Sequence, residues 1–329
     1  MVLAVTLAVV VALSAFVSDD VIEAPGSASP TLQLLAVPGA TPPAPGQGQF
    51  LLLSVSSHRA TLLESFLERY SDAVEVVGRR TYLGPCTDDA ARQRSGTAAM
   101  DQSQARAVAV ALRAAGKTFE QRPTGARILG ILGESNACGV LAAGDLITAV
   151  DGRLVESPQV LRDAIGRHRV GDEIEVRYRR GEEERTTRVR LIADPDDGHP
   201  LVGITSQVEY DFSFPLDIQF PSSGITGPSG GLAFALTVYD AITPGDLAAG
   251  RLVAATGEIE VDGTVGPIGG AREKVIAARR AGVDVVMVPP ENEADARRGI
   301  RDGRPEVVAA RTFADALGAL RARGGQPPA

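Results

Sequence analysis

The chain predicts an α+β protein, with mixed sheets packed by helices, and three observations predict it. Apolar strand-like runs alternate with amphipathic helical runs over residues 47–117 and again after residue 199. Between them, over 118–198, the pattern changes to short alternating strands around a single helix. The length, 329 residues with 44% hydrophobic, supports two or three domains with their own cores and is too apolar for a disordered chain. The net charge of -8, with no block of Lys or Arg, argues against a nucleic-acid partner. His58, His168, His199, Cys86 and Cys138 are scattered in no metal-ligand spacing, so neither a metal nor any other cofactor is expected.

Taken in order, "MVLAVTLAVVVALSAFV" (1–17) carries no charge and sits at the lower length limit for a membrane span. It reads as a single-pass anchor; a cleaved signal also fits, although it lacks a basic n-region. Either reading places the remainder outside the cytoplasm, at the cell membrane. Residues 18–46, rich in Pro, Ala and Gly, read as an extended connector. "QFLLLSVS" (49–56) predicts a buried strand, "ATLLESFLERY" (60–70) an amphipathic helix, and "MDQSQARAVAVALRAAG" (100–116) a helix closed by Gly116. Cys86 and Cys138 fit a disulfide outside the cytoplasm, but two scattered cysteines are more often just small buried groups.

In 118–198 a Gly-Asp corner (144–145), an Asp-Gly turn (151–152), a helix opened by Ser157 and Pro158, and a hairpin near Arg180-Gly181 follow one another. This order, above all "GVLAAGDLITAVDGRLV", resembles a PDZ domain. The resemblance implies capture of an extended peptide at a sheet edge. The groove is expected between the strand at 126–131 and the helix at 158–166, with Gly125, Ala126, Ile128, Ile131 and Leu161 as its contacts. A PDZ domain serving only as a spacer is the other reading.

"GITGPSGGLAF" (224–234) puts Ser229 at a Gly-Pro corner before an apolar helix. A helix start leaves backbone N–H groups unsatisfied and favours an oxyanion, so the hydroxyl is either a cap or a nucleophile. A trypsin-like arrangement would need an upstream histidine and only His58 remains eligible. The other candidate base is Lys274, on a helix expected from Ala271 to Ala281. There it shares a face with Ala271, Ala277, Ala278 and Ala281, while Arg272, Glu273, Arg279 and Arg280 project oppositely, with Ile276 misplaced among them. A snorkelling lysine and a desolvated base both fit that position.

"GPSGG" (227–231) together with "TGEIEVDGTVGPIGGAREKVIAARRAGV" (256–283) looks like the proteolytic domain of the Lon proteases, and the whole chain resembles the membrane-anchored Lon-like PDZ proteases of bacteria. The resemblance implies a Ser-Lys dyad of Ser229 and Lys274 supported by Thr256, with Gly227, Pro228 and Gly230 shaping the corner. It implies protein or peptide substrates and a homo-oligomeric, hexamer-like ring. Thr226 stands where many of these proteins carry an acid, and Gly230 where alanine is usual. No "GxxxxGK[ST]" occurs, which implies proteolysis without ATP. The proteolytic domain is expected over 199–322 with a flexible tail at 323–329; residues 47–117 are its front part if the PDZ domain is inserted. A PDZ adaptor with an inactive protease domain is the competing reading.

Overall fold

The computed structural model describes residues 10–40, 47–67, 73–221 and 224–326. Parts of the expected anchor (1–9), connector (41–46), 60–70 helix (68–70) and tail (327–329) lie outside them. The chain forms two compact units, Met1–Tyr82 with Ser103–Thr118 and Leu216–Ala329, and Leu83–Gln102 with Phe119–Pro215.

The first unit is built on a mixed six-stranded sheet. Its strands are β1 (Val17–Pro30), β2 (Gln49–Thr61), β3 (Glu75–Gly78), β12 (Leu252–Ala255), β15 (Val285–Val288) and β16 (Glu306–Ala309), in the order β16-β15-β12-β2-β1-β3. The β12, β15 and β16 strands run parallel to one another and β12 runs parallel to β2, whereas β1 pairs antiparallel with both β2 and β3. Strands buried on both faces need continuous apolar runs, and Val285 to Val288 are all buried. The helices of this unit are α1 (Leu62–Leu67), α2 (Arg79–Leu83, which ends just inside the other unit), the second half of α3 (Asp89–Ala114), α5 (Gly231–Ile242), α6 (Ala271–Arg280), α7 (Glu293–Arg297) and α8 (Phe313–Arg321). The α3 helix thus begins earlier than the helix expected at 100, and Gly116 beyond its end takes φ 70°.

Residues 17–30 are therefore a strand rather than a connector. Pro25 falls at a register shift, where its missing N–H interrupts no regular ladder, and Val21 and Ile22 go into the core. Gly26 is required because a Cβ there would lie 2.7 Å from the Ser54 carbonyl oxygen. At the other end, the Gln326 N–H bonds the Asp246 carbonyl and Arg323 pairs with Glu306, so 323–326 are tied down.

The second unit holds a six-stranded antiparallel sheet of β4 (Glu120–Ile131), β5 (Leu146–Val150), β6 (Arg153–Leu154), β7 (Glu173–Arg180), β8 (Glu183–Arg190) and β11 (Ile204–Ser213). Its order is β11-β4-β5-β7-β8, with β6 on β5. The α4 helix (Pro158–Ile165) opens as the sequence predicts, with the Val160 N–H bonding Ser157 Oγ at 3.3 Å. The corner aspartate, Asp145, is buried and held by two bonds from Arg180 at 2.7 and 2.8 Å. The stretch 194–199 is a turn joining β9 (Ile192–Ala193) to β10 (Pro200–Leu201), and β11 beyond it completes the sheet. This unit thus runs on to Pro215, past the boundary expected at 198.

Cys86 and Cys138 form a disulfide inside this unit, with their Cα atoms 5.2 Å apart and a sequence separation of 52. A loop of that length implies about 4 kcal/mol of stabilisation from restricting the unfolded chain. Replacing both cysteines by serine should lower the denaturation midpoint, and the loss should match that caused by reductant. Equal midpoints in all three states would show the bond contributes nothing.

Candidate active site

The serine corner is shaped by two residues that fix the backbone. Gly227 sits at φ 90°, a conformation that favours glycine, and Pro228 starts a 3₁₀ turn, Pro228–Gly230, leading into α5. The α5 helix is buried from Gly231 to Tyr239, so it is a rigid support. The corner is then stitched to the end of β12. The Gly257 N–H bonds the Ser229 carbonyl at 2.8 Å, and the Leu232 N–H bonds the Gly257 carbonyl at 3.1 Å. From α3, Ser103 Oγ donates to the Pro228 carbonyl at 2.7 Å. Ser229 makes no side-chain cap to the helix, which leaves its hydroxyl available.

The lysine arrives from α6, which begins after Gly270. That residue is left-handed at φ 63°, and a Cβ on it would lie 2.6 Å from Val55 Cγ2. Lys274 is 3% exposed, and its Nζ lies 2.8 Å from Ser229 Oγ and 3.1 Å from Thr256 Oγ1. Thr256, fully buried, donates its own hydroxyl to the Ser229 carbonyl at 3.1 Å. Burial pushes the Lys274 amine down to about 8, against the opposing pull of the Glu258 and Glu23 carboxylates. Burial in turn raises Glu258. The arrangement can take a proton from a hydroxyl in a water-poor setting, with a neutral amine spending one N–H on Thr256 and its lone pair on Ser229.

Gly227, Pro228, Ser229, Gly230, Thr256 and Lys274 thus come together. The α6 helix is less one-sided than the sequence suggests, because Glu273 and Ile276 are buried as well. Sequence reasoning missed Ser103, whose only sign is a small hydroxyl inside a helical run, and the acids Glu23 and Glu258 near the amine. His58 lies exposed on β2 with its Nε2 3.3 Å from Glu64.

The expected peptide groove needs correction. Gly125, Ala126, Ile128 and Ile131 lie on β4, which is bonded along β11 on one edge and meets β5 on the other. A strand paired on both edges cannot accept a third. Ala126, Ile128, Ile131 and Leu161 are all core side chains. The sheet ends in β11 and β8, and the edge on the β4 side is β11, which lies C-terminal to the region where the PDZ-like order ends. At Tyr210 its backbone is already satisfied by Gln102, which donates to the carbonyl at 3.0 Å and accepts from the N–H at 3.3 Å. The candidate stretch of edge is therefore 204–207.

A serine hydroxyl against a buried amine defines a hydrolase-type site, and the comparisons agree with the folds around it. Residues 209–304 match the model of the Lon protease (S16) C-terminal proteolytic domain, and 116–191 match that of the PDZ domain. A Lon protease of Roseiflexus castenholzii is 40% identical over 94 residues, covering 28% of this chain and 12% of that protein. Lon protease 2 of Bacillus subtilis is 38% identical over 105 residues, covering 32% of this chain and 18% of that one. The chain thus spans under a fifth of the length of either relative. The PDZ domain of an SdrC-like protein from Listeria monocytogenes is 34% identical over 25% of this chain and 87% of its own, with a TM-score of 0.25.

Proposed function

We propose that this chain is a serine endopeptidase in which Ser229 is the nucleophile and Lys274 the general base. The observation that carries the proposal is the 2.8 Å approach of Lys274 Nζ to Ser229 Oγ, made by an amine that burial has brought to about 8. In this reading Lys274 takes the Ser229 proton as Oγ attacks the scissile carbonyl. The acyl-enzyme forms, the protonated amine gives that proton to the leaving nitrogen, and water then releases the acyl group by the same base. The Ser229 N–H, in the turn ahead of α5, helps hold the developing oxyanion. Thr256 holds the amine in line.

The reading extends to proteolysis without ATP, on unstructured segments of proteins outside the cytoplasm. The Cys86–Cys138 bond supports the compartment, since such bonds persist where thiols are oxidised. The apolar run 1–17 supports attachment to a membrane. Among the described residues no helix is long and apolar enough to cross one, and residues 1–9 lie outside them. Assembly into a ring rests on resemblance alone. The test is incubation of the purified chain with a permanently unfolded protein: fragments should form without nucleotide and at the same rate with ATP. No cleavage under either condition would leave a PDZ adaptor.

Substrate capture, in this reading, adds an extended peptide to β11 at 204–207. Amide exchange of those residues should slow when an uncleaved peptide is bound to the Ser229→Ala enzyme. Slowing confined to 126–131 would return the groove to β4.

A further inference from the structure

One end of the β1–β2 hairpin carries an apolar surface that the chemistry at Ser229 does not use. Among the described residues thirteen large apolar side chains are exposed, and seven of them lie on the two segments that meet there, 10–17 and 62–67. Val10, Val11, Phe16 and Val17 come from the N-terminal side, and Leu62, Phe66 and Leu67 from α1. Their exposures run from 40% to 63%. The two groups are tied at the backbone: the Leu62 N–H bonds the Phe16 carbonyl at 2.9 Å, and Val17 pairs with Thr61. Between them Ser18 and Ser65 share a hydroxyl contact at 3.2 Å.

We infer that α1 and the helical segment 10–15 together form a lipid-facing surface that lays this end of the first unit on a membrane, in addition to any anchoring by residues 1–9. The inference rests on the reading of the 1–17 run as membrane-associated and adds to it a second contact, 45 residues further along the chain at Leu62. Three observations favour lipid over another occupant. The segment 10–15 is exposed or half-exposed at every position and apolar at all but one, so it has no protein-facing stripe. Its single polar group, Ser14 Oγ, is satisfied by the Val10 carbonyl at 2.8 Å, as a hydroxyl entering hydrocarbon requires. Residues 1–9, which lead directly into it, are apolar except for Thr6.

The polar groups beneath the surface form a boundary. Glu64 accepts from the Thr61 N–H and hydroxyl at 2.9 Å each and pairs with His58, while Arg59 donates to the Ser18 carbonyl at 3.2 Å. Among the described residues at this boundary, Asp19, Asp20 and Glu64 stand with Arg59, His58 and, next to the Asp20–Gly78 pair, Arg79 and Arg80, so the charge is mixed rather than a basic patch that would attract anionic headgroups. Binding is therefore apolar insertion into the interface, insensitive to salt and to lipid charge.

The chain contains no tryptophan, which makes a single-tryptophan probe clean. The full chain carrying Leu67→Trp is mixed with phosphatidylcholine vesicles bearing brominated acyl chains, with Val11→Trp as the companion. Both probes should shift to the blue, and their emission should fall about twofold relative to unbrominated vesicles, unchanged in high salt. A water-like, unquenched Leu67→Trp beside a quenched Val11→Trp would overturn the inference and leave the anchor standing. Two unquenched probes would remove both, and a blue shift without vesicles that grows with protein concentration would assign the surface to a second copy. Cleavage of a soluble unfolded protein, measured in the same samples, is expected to be unchanged, so the peptidase reading is tested separately.

Discussion

Activity should rise with pH through a single ionisation near pH 8. The burial that brings Lys274 down to about 8 makes the neutral amine, the only form able to accept the Ser229 proton, the species above that pH. At pH 7 about one-tenth of the enzyme would be competent and at pH 9 about nine-tenths, so kcat/KM should increase roughly tenfold over that interval. A histidine base would instead complete its rise by about pH 7.5. Lys274→Arg should be inactive at every usable pH, because a guanidinium holds its proton and does not fit a site sized for an amine. Lys274→Gln should be equally inactive for want of a base. A pH profile centred near 6.5, or substantial activity in either variant, would refute the assignment. Stability carries the same signature. Unfolded lysine keeps its proton to about pH 10.5 and the native one only to about 8, so the unfolded state binds more protons between those values. Native stability should accordingly climb with pH across that window, by up to about 3 kcal/mol in this group's contribution.

Replacing Ser229 by alanine should abolish cleavage, by a factor of about 10⁴ or more, and leave the fold in place. The hydroxyl makes no helix cap, the corner's backbone bonds from Gly257 and Thr256 go to the Ser229 carbonyl, and Lys274 keeps its bond to Thr256. Nothing structural is lost with Oγ, so the melting temperature should move by no more than a degree or two, about 0.5 kcal/mol. Measured against an unfolded protein at pH 9, retained activity in this variant would remove Ser229 as nucleophile. A large drop in melting temperature would instead show that the hydroxyl holds the corner together.

The candidate dyad was legible through the resemblance to the Lon motifs, whereas the local patterns alone leave Ser229 as a cap or a nucleophile and Lys274 as a snorkelling residue or a base. Gly227 and Pro228 announce a turn into a helix, and the alanines around Lys274 announce a buried face; both are short-range signals within a single element. What local patterning misread were cases where packing overrode composition. The Pro- and Gly-bearing segment at 17–30 reads as a connector, but a β-bulge absorbs Pro25 and the close approach of Ser54 uses Gly26. Glu273 and Ile276 read as solvent-facing, yet both are buried, because α6 is covered on more than one side. The apolar strand 126–131 reads as a peptide-binding edge, but β11, more than seventy residues downstream, has taken that edge.

The sequence by itself determined the two kinds of domain, the serine at a helix start, a lysine on an alanine face, and the absence of a nucleotide loop. These are properties of short windows, where turn chemistry and helical periodicity act within a dozen residues. The tertiary structure alone decided that Lys274 reaches Ser229 across 45 residues, that Ser103 braces the corner, and that β11 rather than β4 is the sheet edge on that side. Strand order and the desolvation of an amine depend on which distant segments pack together. No local pattern encodes that packing, because each partner is selected by the burial of the whole sheet.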